Sequence, residues 1–156
     1  MKLLGTSEEK YLPHCIAFEM FKLYNFSYRE CNKYAILYNM IKSNIETNTK
    51  YVCDSKQYLI AFEVIIPIIL AFKIKDIVAY KECVLGHSNK LKEALYYIRN
   101  EFNKKAEYKN WLKDLVNYKD NDKNINEIDK IIEIYNKYRT YSWYSELFIN
   151  CINLNL

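Results

Sequence analysis

Apolar residues recur at three- and four-residue spacings along most of the chain, and in one stretch the polar interruptions almost stop. Leu91, Leu95, Ile98 and Phe102 mark one face, and Ile128, Ile131, Ile132 and Tyr135 mark another. Such spacing lines side chains along one stripe of a 3.6-residue helix. The same pattern predicts a helix over 7–24, with Tyr11, Cys15, Phe18 and Leu23 near one face, and one over 28–45, with Cys31, Ala35, Tyr38 and Ile41 at helical spacing. Further helices are predicted over 55–73, 76–85, 88–105, 107–118 (Tyr108, Trp111, Leu112, Leu115), 125–138 and 140–152 (Tyr141, Tyr144, Phe148, Cys151). The segments SNIETNTK and 120–124 are predicted loops.

Local chemistry marks the helix ends. Thr6–Glu9, Ser27–Glu30, Asp54–Gln57 and Asn124–Glu127 each fit a capping box or a close variant. In that motif the first side chain accepts from an orphan amide, and the Glu or Gln three residues on reaches back. Gly86 is predicted to be the glycine just past the end of the 76–85 helix.

The uninterrupted stretch is FEVIIPIILAF, residues 62–72, and residues 58–74 are apolar almost all round a helix. Such a helix is central in a bundle or lies in a membrane. A membrane span needs about 20 apolar residues. Here Lys56 and Lys73 bracket a shorter run that contains Glu63. A strand reading founders on Pro67, which removes a ladder donor. The central helix of a soluble bundle is therefore expected. Pro67 cannot donate to the Glu63 carbonyl and crowds it, so a bend is predicted there. Glu63 is either a buried acid or partner-facing anchor, or, with Lys56, part of a narrow solvent stripe; the stripe is the preferred reading.

Composition sharpens the class. The 156 residues hold only two Gly and two Pro, too few turn formers for a hairpin-rich sheet domain. With 51% hydrophobic and 27% charged residues the chain reads as globular. The expected fold is all-α: a single domain over 1–156, an irregular helical bundle or a short array of antiparallel helical hairpins, with about seven to eight helices. The 16 tyrosines accompany abundant Lys, Asn and Ile, and are read as compositional bias from AT-rich coding. Net charge is +4, with basic and acidic residues interleaved. The five cysteines are dispersed without a CxxC, and the N-terminus lacks the apolar run of a secretory leader, so reduced thiols and a cytoplasmic location are expected.

Candidate chemistry is sparse. No HExxH, GxSxG, P-loop or GxGxxG occurs, so no catalytic residue, cofactor or metal is predicted. Cys83 and His87 stand four apart, but Gly86 falls between them and should end their helix. Lys104, Lys105, Lys109 and Lys113 with Tyr108 and Trp111 form a basic–aromatic cluster of the kind that contacts phosphates and stacks bases. The aromatics serve better as a core face, with the lysines as its solvated reverse.

The order of four segments carries a resemblance: VIIPIILAFKIKD, LKEALYYIRNEF, EYKNWLKDLV and IIEIYNKYRTYSWYSEL. This order, and the closing pair Trp143-Tyr144, resemble the helical immunity proteins of polymorphic nuclease toxins, the PoNi-like group. LYNFSYREC is similar to that group's first helical hairpin. The chain lacks the Gly-Tyr-Trp segment expected near the group's end and is not acidic. The resemblance implies an inhibitor that binds and blocks a toxin, and it assigns no toxin-contacting residue.

The expected function is therefore non-enzymatic binding of another protein by a helical face, with a toxin as the candidate partner. Arg139, Tyr141, Trp143, Tyr144 and Glu63 are the candidate partner-binding residues, because Tyr, Trp and Arg dominate interface hot spots. Packing at the C-terminus is the competing reading for the first four. The alternatives are a viral or phage antagonist of host defence, including a Bcl-2-like bundle (no NWGR-like motif is present), and a small nucleic-acid-binding regulator.

Overall fold

The computed structural model describes residues 11–47, 55–116 and 126–152, with side chains for 11–45, 57–116 and 126–147. Helix α1, Leu12–Leu23, starts on Pro13 in its first turn, where a missing N–H costs nothing. It ends on Asn25 at φ 50°, with Phe26 N–H donating to the Phe21 carbonyl at 3.0 Å. The Phe21 and Phe26 rings close this Schellman end at 4.8 Å. Helix α2, Tyr28–Thr47, opens on the predicted capping box: Ser27 N–H donates to Glu30 Oε1 at 2.9 Å, and Glu30 N–H donates to Ser27 Oγ at 3.2 Å.

The apolar run forms one continuous rod: α3 (Ser55–Leu59), a π turn (Ile60–Ile65) and α4 (Ile66–Lys75). The defect imposed by Pro67 thus takes the form of a widened turn just upstream. Leu59, Ile65 and Ile66 keep right-handed helical dihedrals, so the helix passes through it unbroken. Every residue from Ile60 to Phe72 is buried except Glu63. The reason is packing on several sides: α4 contacts α1, α2, α5 and α6, and the π turn contacts α1 and α8. By length and composition the helix over Gln57–Lys75 is able to cross a membrane, yet most of it is buried in protein.

The remaining helices are α5 (Ile77–Val84), α6 (Asn89–Asn103), α7 (Trp111–Val116), α8 (Glu127–Tyr138) and α9 (Ser142–Ile152). The Asp76 side chain caps α5 by accepting from Ala79 N–H at 3.1 Å. At its other end Gly86 sits at φ 92°, with His87 N–H on the Glu82 carbonyl at 2.8 Å and Gly86 N–H on the Cys83 carbonyl at 3.0 Å. These bonds make a Schellman end, with Gly86 as the predicted glycine just past the helix. The fold is all-α, with no strand among the described residues, and one buried cluster runs from Leu12 to Leu147. The bundle is irregular and centred on the rod, and α2 also packs on α9.

Several expectations need correction. The inward face of α1 is Leu12, Ile16, Ala17 and Met20, while Phe18 and Leu23 are exposed. The rod lies on that side, and an apolar-rich helix offers two stripes. SNIETNTK is helical as far as Thr47. Tyr108 belongs to a turn before α7, not to the helix. The cap of α8 is Asn126, whose side chain accepts from Ile128 N–H at 2.9 Å. Asn124, the proposed caps Thr6 and Asp54, and the 120–124 loop lie outside the described residues.

Candidate functional site

Glu63 is the half-buried polar break in the buried rod, and the side chain of Lys56, its expected companion on a solvent stripe, lies outside the described residues. It lines a cleft of about 100 Å³ between the start of α1, the middle of α2 and the π turn. Tyr11, Tyr38, Tyr58 and Phe62 supply aromatic walls, Ile41, Ile45 and Ile66 aliphatic ones, and Lys42 a second charge. Burial holds the Glu63 carboxyl above the usual carboxylate range, and the Lys42 charge acts against that. The Lys42 ammonium lies 5.4 Å from the Tyr11 ring centroid. The Tyr11 and Tyr38 hydroxyls meet at 3.3 Å. Behind them His14 touches both rings, edge-on to Tyr11 at 4.4 Å, and its buried Nδ1 has no hydrogen-bond partner. Desolvation, with Lys42 adding to it, lowers its pKa from 6.5 to about 4, so the imidazole is neutral at physiological pH.

The other sequence-predicted residues fall into two groups. Trp143 and Tyr144 pack on Phe62, and Tyr141 stacks on Trp143. Trp143 stacks on Phe62 at 6.0 Å and on Tyr141 at 5.8 Å, and Tyr144 meets the Phe62 ring edge-on at 5.4 Å. Phe62 also walls the Glu63 cleft, so Trp143 and Tyr144 stand directly behind it. Tyr144 is wholly buried and its hydroxyl donates to the Ala61 carbonyl at 2.8 Å. That corrects its reading as a partner contact: the side chain packs inside the bundle. Tyr141 and Trp143 are half-buried against the core. Arg139 is drawn away to the end of α5. Its guanidinium covers Gly86 so closely that a Cβ there would collide with it, and its Nε is buried without a hydrogen-bond partner. A cation beside the last carbonyls of a helix is favoured by the helix dipole.

Sequence reasoning missed the surface of α5. Ile77, Val78, Val84 and Leu85 are 43%, 60%, 42% and 70% exposed, although α5 is only eight residues long. Seven-residue spacing puts Ile77 with Val84 and Val78 with Leu85 on neighbouring stripes of one face. The signal was present as IV…VL at the two ends of the helix, and Ala79, Tyr80 and Cys83 supply its buried face.

The rings of the basic–aromatic cluster are half-buried. Tyr108 stacks on Trp111 at 5.1 Å, and both pack against Phe102, at 5.6 and 5.7 Å. Lys105 turns back to the buried Glu19 at 3.3 Å. Cys83 is buried, which pushes its thiol up to about 12, and His87 is exposed beyond the glycine. The described residues contain no group of three or more His, Cys, Asp or Glu arranged to hold a metal. The chain matches no family model, no curated protein and no solved structure.

Proposed function

We propose that the chain is a non-enzymatic, protein-binding helical protein whose contact surface centres on α5. The observation that carries this reading is the run of exposed aliphatics Ile77, Val78, Val84 and Leu85 on one short helix and its C-cap. Single exposed aliphatics are ordinary, whereas a clustered patch marks an interaction surface. Lys81, exposed between the two ends, suits a partner whose apolar face carries acidic residues. The order of segments from 64 to 147 supports a finer form of the reading, an immunity protein that occludes a toxin in the cytoplasm. In this form Trp143-Tyr144 supports the bundle, and α5 provides the contact.

The test compares the native chain with the double variant Val78→Asp/Leu85→Asp in affinity capture from the source cells and against purified candidate toxins. The variant should keep the native circular dichroism spectrum and lose the partner. Equal retention of every partner by a folded variant would sink the α5 reading.

A further inference from the structure

The composition of the Glu63 cleft is specific. Four aromatic side chains and one carboxylate face a space of about 100 Å³. Pockets that enclose whole small molecules run to roughly 300–1,000 Å³, so this one fits the end of a single side chain. Among the described residues no hydrogen bond or ion pair closes on the Glu63 carboxylate. A carboxylate that loses part of its hydration without gaining a bonded partner is unfavourable, and a cation relieves it. Aromatic faces attract ammonium and guanidinium groups for the same electrostatic reason. His14, behind these rings, is neutral at physiological pH and adds no opposing charge. Lys42 lines the cleft and is itself exposed. The backbone beneath is the π turn Ile60–Ile65, a geometry that tends to persist where function holds it.

We infer that this cleft receives the cationic end of an arginine or lysine side chain from a bound protein, with its charge against Glu63 and its stem along the walls made by Tyr11, Tyr38, Tyr58 and Phe62. That the cation comes from a protein rests on the protein-binding reading. The preference for a cation does not, and the cleft is built on elements other than α5.

The test uses amide-detected NMR titrations of the full chain with N-acetyl-arginine methylamide and N-acetyl-lysine methylamide, and with the alanine and glutamate analogues as neutral and anionic controls. One or both cations should give saturable shifts confined to residues around 11, 38, 58 and 62–63, with Kd on the order of millimolar. The cation should also lower the pH midpoint of the Glu63 side-chain carboxyl signal. Glu63→Gln should weaken binding about tenfold. Lys42→Met, at an exposed position, should tighten it by removing a like charge. The inference is overturned by an absence of saturable shifts with both cations, by unchanged binding to a folded Glu63→Gln variant, or by preferential binding of the glutamate probe that Lys42→Met abolishes. None of these results touches the α5 reading, which the double aspartate variant tests separately.

Discussion

The Tyr144 hydroxyl donates a 2.8 Å hydrogen bond to the Ala61 carbonyl, between residues 83 apart in the chain. Ala61 lies in the π turn, and both residues are wholly buried. The bond ties the last helix to the irregular turn of the central rod. Tyr135 does the same for α5, donating to the Cys83 carbonyl at 2.8 Å. Two tyrosines of a tyrosine-rich chain thus satisfy buried backbone acceptors, which water cannot reach.

Tyr144→Phe should therefore destabilise the fold by about 1–3 kcal/mol, because it leaves a buried carbonyl without this donor. Urea denaturation measures the loss. A change below about 0.5 kcal/mol would show that the bond contributes little net stability.

Trp143→Ala should lower stability by about 1–3 kcal/mol. That is less than the ~3–5 kcal/mol of a fully buried Trp, since Trp143 is half-buried against Phe62 and Tyr141. The midpoint of thermal unfolding is the readout. Unchanged stability would place the residue's role on the surface instead.

Gly86→Ala meets two obstacles, a φ of 92° and the Arg139 guanidinium. A left-handed conformation costs a residue with a Cβ roughly 1–2 kcal/mol, and the collision adds to it. In an Arg139→Ala background the penalty should fall to the backbone part alone. A double-mutant cycle reads the difference as coupling. Additive losses would mean that the guanidinium simply moves aside.

Stability should respond to pH through two groups of opposite sign. His14 has a folded pKa of about 4 against an ordinary 6.5, so between these values the unfolded chain binds more protons. Its contribution is lost as pH falls from about 6.5 to 4. Glu63 has a raised folded pKa, so from about 4.5 upward the folded chain binds more protons, and stability declines as pH rises through that folded value. Unfolding midpoints between pH 4 and 7 should lose the first slope in His14→Gln and the second in Glu63→Gln. Identical profiles for the variants and the native chain would contradict both assignments.

Much of the fold was legible because its determinants are local. Leu91, Leu95, Ile98 and Phe102 are buried as their spacing predicts, and Ser27, Glu30 and Gly86 make the predicted ends. Glu63 was visible as the exception in an apolar run, and Pro67 as a defect. The cleft was not visible, because Tyr11, Tyr38 and Lys42 come from other helices and no periodicity links them to Glu63.

The sequence by itself determined the helices, most of their ends and a rod that other helices must surround. Those follow from backbone hydrogen bonding within a few residues and from the free energy of removing apolar side chains from water, whatever covers them. The tertiary structure alone decided which stripe of α1 turns inward, that Tyr144 reaches Ala61, that Arg139 covers Gly86, and that α5 keeps its aliphatics exposed. Each of these depends on the distance between segments far apart in the chain, which packing sets and local pattern does not encode.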